Sequence, residues 1–148
     1  MEIGLFQNLI VGSGLVALSV VIHTAGLIAI AGITPPLARH MGLHSHDVGR
    51  TVVMTGTVLG ILALLTVEVW AWALAYRGLG ATDDFADALY LSTAMFSTTG
   101  YAGMTIDPHW RLLTVLEGIN GFLLIGLSTA FLVRASVVHG PFQAEKHF

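Results

Sequence analysis

From residue 9 to residue 33 the chain offers roughly 25 consecutive residues with His23 as their only titratable side chain, where about 20 apolar residues suffice to cross a hydrocarbon core of about 30 Å. A run of that length commits the chain to a lipid environment. Two more follow, at residues 51–76 with one acid, Glu68, and at residues 110–134 with one acid, Glu117. Only 10 % of the residues are charged and the mean hydropathy is +0.80, whereas soluble domains carry roughly a quarter charged residues. The expectation is an all-α integral membrane protein with three transmembrane helices.

The same composition excludes several function classes. Without cysteine there is no disulfide framework, thiolate metal site or cysteine nucleophile. The six basic residues are scattered and the net charge is −3, so no nucleic-acid face is expected. The opening MEIGLF is acidic and the first apolar run is too long for a secretory signal; the N-terminus is expected to be retained.

The first span should end at Thr34-Pro35-Pro36, because proline lacks a donor and disfavours helix in the residue before it. The second closes in VEVWAWALAY, whose Trp70, Trp72 and Tyr76 suit an interfacial belt. Between spans two and three, residues 84–96 read as a helix capped by Thr82, Asp83 or Asp84. It would rise only about 20 Å, too short to cross. Such a half-helix followed by glycine-rich backbone is tolerated at membrane depth only inside protein or against a water-filled cavity, which predicts a re-entrant segment. The negative end of its dipole would favour a cation near the membrane middle.

With the first loop and the C-terminus cytoplasmic, that side holds Arg39, Arg50, Arg134 and Lys146, against Arg77 and Arg111 outside, a modest positive-inside bias. The N-terminus is then outside, as are Asp83, Asp84, Asp87 and Asp107.

The stretches ALYLSTAMFSTTGYAG and WRLLTVLEGINGFLLIGLSTAFLV resemble the pore module of two-transmembrane-helix potassium channels. The closer likeness is to small bacterial ion-channel proteins that place one extra helix before that module. The resemblance covers about residues 51–135. It implies an outer helix at 51–76, a pore helix at 84–96, a filter at 97–103 and an inner helix at 110–134, after an extra helix and loop at 1–50 and before a short cytoplasmic tail at 136–148. It also implies a homotetramer around a central pore in the bacterial inner membrane, with lipid and monovalent cations as its other partners and no cofactor or metal beyond the permeant ions.

The family's filter reads Thr-Val-Gly-Tyr-Gly, usually followed by Asp. The matching positions are Thr98, Thr99, Gly100, Tyr101 and Ala102, with Gly103 in place of Asp. Family glycines take left-handed backbone there, so Ala102 costs roughly 1–2 kcal/mol per chain, unless the chain shifts to put Gly103 in that position. The resemblance therefore implies potassium favoured less sharply than in the family.

Intramembrane acids are functional candidates. By depth, Glu68 and Glu117 should lie near the filter, as hydrogen-bonded buttresses to Ser97, Thr98, Tyr101 or a tryptophan such as Trp70, or as a proton-sensitive brace. Gly118 and Gly121 suit close helix contact and Gly126 a hinge, with Phe131 and Val133 as a hydrophobic constriction. Asp83, Asp84, Asp87 and Asp107 would ring an outer vestibule. His40, His44 and His46 read as a polar loop, with a metal site as the alternative, and His23 as a packed or hydrogen-bonded residue, with a proton relay as the alternative. Two rivals stay open: a non-conducting scaffold with a pore-like fold, and a proton carrier built on Glu68, Glu117 and His23. An enzyme is not expected, because no nucleophile–base pair is visible.

Overall fold

A computed structural model describes residues 2–40, 47–100 and 106–139. Four α-helices order the described chain: α1 (Glu2–His40), α2 (Asp47–Gly78), the short α3 (Phe85–Phe96) and α4 (Arg111–His139), the last entered through a 3-10 turn at Pro108–Trp110. Three of them contain segments long and apolar enough to cross a membrane, Gly4–Thr34, Val48–Gly78 and Pro108–Val137. The all-α membrane architecture is the one expected.

Pro35 and Pro36 do not stop α1, which continues to His40. The apolar segment does end at Thr34. The carbonyls that the two prolines leave without helical donors are those of Ala31 and Gly32, four residues back in the last turn of that segment, and Thr34 Oγ1 donates to the Ile30 carbonyl at 2.7 Å. His44 and His46 lie outside the described residues, as does the end of the expected tail from residue 140.

α1 is a full partner in the fold. It packs on both α2 and α4, and α3 packs on both α2 and α4 as well. An added Cβ at Gly12 would run into Leu116 and one at Gly26 into Leu64, so α1 approaches α4 and α2 closely at glycines, as membrane helices do. The apolar core gathers Trp72, Tyr76, Leu91, Phe96, Leu113 and Leu124 from the other three helices.

Candidate functional site

α3 begins where its cap allows. Asp84 is extended (φ −128°, ψ 152°) and its carboxylate accepts from Ala86 N–H at 3.1 Å, satisfying one of the first-turn donors that a helix leaves open. Twelve residues later it stops, after about 18 Å. Ser92, Ala94, Met95 and Phe96 are buried between α2 and α4. The close approach to α4 depends on Gly121, where an added Cβ would overlap the Phe96 backbone; at Gly118 it would sit 3.5 Å from the Met95 carbonyl.

The residues after α3 form a turn. Thr98 N–H donates to Met95 O at 2.9 Å and Thr99 N–H to Ala94 O at 3.0 Å, the paired bonds of a Schellman cap with Thr98 in its left-handed position. α2 ends in the same way, with Gly80 N–H on Arg77 O at 3.3 Å and Ala81 N–H on Tyr76 O at 2.9 Å. The left-handed residue there is Gly80 (φ +70°); in α3 it is the β-branched Thr98 (φ +60°). A β-branched residue in that region is an outlier. Gly100 is also left-handed (φ +81°). Thr98 and Thr99 thus close the helix. Tyr101, Ala102 and Gly103 lie outside the described residues.

This turn faces an open apolar cavity of about 380 Å³, lined among others by Met95, Thr98, Gly100, Thr114, Phe122 and Leu123. Ser97 Oγ lies 3.0 Å from Thr99 Oγ1, and both residues are exposed.

The two intramembrane acids do not share a site. Glu117 Oε2 accepts from the Tyr76 hydroxyl and Oε1 meets Ser92 Oγ, both at 2.5 Å, so α4 is bound to α2 and to the middle of α3. Ser92 Oγ also lies 2.8 Å from the Val69 carbonyl. A hydroxyl has one proton to give. Both contacts form together when Ser92 donates to Val69 and the Glu117 carboxyl, in its acid form, donates to Ser92.

Glu68 turns to α1 instead. Its Oε1 is 2.9 Å from His23 Nδ1 on α1, and its Oε2, although buried, has no hydrogen-bond partner among the described residues. Counting depth along each helix placed both acids near the turn but ignored which face each occupies. On α2, Glu68, Trp72 and Tyr76 follow one another at helical spacing; Trp72 Nε1 donates to Ser19 on α1 at 2.9 Å. Trp70, expected as a filter support, is exposed and stands edge-on to Phe85 at 6.1 Å, at the start of α3 and away from the turn.

The expected vestibule acids Asp83, Asp84, Asp87 and Asp107 are all exposed. Asp107 also caps the 3-10 turn, accepting from His109 N–H at 2.8 Å, and its own N–H reaches Ala81 O at 3.4 Å. Gly126 has open space where a Cβ would stand; Phe131 is half-buried and Val133 exposed.

Missed in the sequence reading was a set of bonds made by α1. Asn8 Oδ1 accepts from Leu113 N–H at 3.0 Å, while its Nδ2 donates to His109 O at 2.6 Å. Asn8 thus caps the start of α4 from another helix. The signal was present as lone polar residues, Asn8, Ser19 and His23, in an apolar span, all of them now buried. Comparison with curated proteins and with solved structures returns no match. A family model described as ion channel matches residues 62–137, from the middle of α2 through α3 to the last turn of α4. The chain belongs to that ion-channel family.

Proposed function

We propose that the protein is a tetrameric channel for monovalent cations in the bacterial inner membrane, with potassium favoured over sodium less sharply than in potassium channels. The observation that carries this reading is α3, a helix too short to span, buried at its C-terminal end between α2 and α4 in a chain of an ion-channel family. In this reading α3 dips in from the outer face, Thr98, Thr99, Gly100, Tyr101, Ala102 and Gly103 supply the ion ligands, and Asp83, Asp84, Asp87 and Asp107 concentrate cations at the mouth. The termini lie as the arginines suggest, N-terminus outside and C-terminus in the cytoplasm.

One chain cannot encircle an ion, so copies must surround the axis. The open cavity beside Thr98 and Gly100, and the exposed Val115, Ile119, Phe122 and Leu123 on α4, supply an apolar face for a neighbouring copy, with lipid covering the rest. Gly126 serves as the hinge of α4, with Phe131 and Val133 as the constriction below it. Glu117 acts as the support behind α3 through Ser92 and Tyr76.

The proton-carrier reading has the His23–Glu68 contact in its favour. Against it, Glu117 is bonded to a different set of residues. Reversal potentials of purified protein in planar bilayers under potassium–sodium gradients separate the readings. The channel reading predicts a shift toward the potassium equilibrium potential, and Ala102→Gly raises the potassium-to-sodium permeability ratio. A ratio unchanged by Ala102→Gly shows that the filter does not use this register, and current carried by protons alone contradicts the channel reading.

A further inference from the structure

α1 precedes the family-matched segment, yet it carries a side chain that contacts both α2 and α4. His23 Nδ1 lies 2.9 Å from Glu68 Oε1 on α2, and His23 Nε2 lies 3.3 Å from Ser128 Oγ on α4. His23 and Glu68 are fully buried and Ser128 is 4 % exposed. A neutral imidazole offers one donor and one acceptor. Either tautomer uses each group once: Ser128 O–H donates to Nε2 while Nδ1–H donates to Glu68, or the Glu68 acid donates to Nδ1 while Nε2–H donates to Ser128. In low dielectric such a chain of bonds is directional and costly to leave half-made.

Its position on α4 is what gives it consequence. Ser128 is the last buried residue of α4 among the described residues; from Thr129 to Val137 every position is half-buried or exposed. Just before it stands Gly126, whose missing Cβ meets nothing within 4 Å. Bending α4 at Gly126 away from α2 would carry Ser128 off His23. The bond therefore opposes that bend, and among the described residues nothing buried beyond it does.

We infer that His23 is a positioning residue, a clasp by which α1 holds the last third of α4 against α2 and keeps Phe131 and Val133 in the closed arrangement. The link to Phe131 and Val133 rests on the channel reading; the holding of α4 does not.

The test uses the full chain in lipid vesicles. Because the protein has no cysteine, spin labels can be placed at single cysteines replacing Val52 on α2 and Val137 on α4, both about half exposed, with labelled chains diluted into unlabelled ones. The parent should give one narrow distance. Ser128→Ala, and His23→Asn, which keeps a donor for Glu68 but falls short of Ser128, should each add a second, longer population. The double variant should add no more than either alone, as groups sharing one bond do. Ser19→Ala removes the Trp72 bond made by the same helix and should leave the distribution narrow. An unchanged distribution in both Ser128→Ala and His23→Asn overturns the clasp, and so does equal broadening by Ser19→Ala.

Potassium efflux from the same vesicles should rise about tenfold in Ser128→Ala, the scale of one lost hydrogen bond. Unchanged efflux from a conducting parent also overturns the proposal. A parent that passes no cation contradicts the channel reading alone, and the clasp is then decided by the distances.

Discussion

On the face that α4 turns toward the other helices, Leu113, Glu117, Leu124 and Ser128 are buried, and hydrogen bonds run from that face to Asn8, His23, Tyr76 and Ser92. On the other face Val115, Ile119, Phe122 and Leu123 are each more than half exposed, beside the turn in which Thr98 is held left-handed. The first face follows a helical stripe and fixes the fold of one chain. In lipid, apolar burial gives helices little preference for one another, and buried polar bonds with small-residue contacts supply the orientation. Among the described residues the second face has no such side-chain bonds, and the strained turn lies beside it. Strain of this kind persists where surrounding structure holds it, often at functional sites, so the channel reading assigns folding to the first face and conduction to the second.

Glycine substitutions on the two faces should separate them most widely. Gly121→Val forces atoms into the Phe96 backbone and should cost about 1–3 kcal/mol or more by overpacking, seen as loss of folded protein in detergent and a lower thermal midpoint. Gly126→Ala meets open space and should shift stability by no more than about 1 kcal/mol. Equal tolerance of both would break the distinction between a close-contact face and an open one.

Glu117 sharpens the description of the bonded face. Glu117→Leu leaves the Tyr76 and Ser92 hydroxyls without this partner and should cost about 1–3 kcal/mol. Glu117→Gln places an amide donor toward Ser92 and a carbonyl toward Tyr76, the same pattern as the acid form, and should stay within about 1 kcal/mol of the parent. If Gln costs as much as Leu, Glu117 is held as a carboxylate and the assignment of its proton is wrong. Thermal unfolding of the three proteins decides it.

The smallest effect belongs to the open face. Thr98→Gly should relieve about 1–2 kcal/mol of left-handed strain per chain and raise the thermal midpoint, while Thr98→Val should not. A lower midpoint for Thr98→Gly would mean that the threonine side chain stabilises the turn by more than its backbone strain costs.

Legibility in the sequence followed the range over which each signal acts. The start of α3 was readable because Asp84 and the residues after it are a local capping pattern, and its end at Phe96 fell where the apolar run meets Ser97. The left-handed Thr98 was not, since a β-branched residue gives no local hint of that conformation. Pro35-Pro36 was a true end for the apolar span but not for the helix. Glu68 and Glu117 were recognisable as intramembrane acids, yet their partners were not. Spacing on α2 shows that Glu68, Trp72 and Tyr76 share a face; it does not say that α1 covers that face at Glu68 and Trp72 while α4 reaches it at Tyr76. For the same reason the sequence does not show that the extra helix is bound to the other two spans through Asn8, Ser19 and His23.

The central claim is that this fold conducts cations. Purified protein reconstituted into vesicles loaded in turn with potassium, sodium and calcium tests it most directly, by the rate at which each ion leaves after dilution. The account predicts efflux fastest for potassium, measurable for sodium and negligible for calcium; vesicles that retain all three ions at the rate of protein-free controls would contradict it.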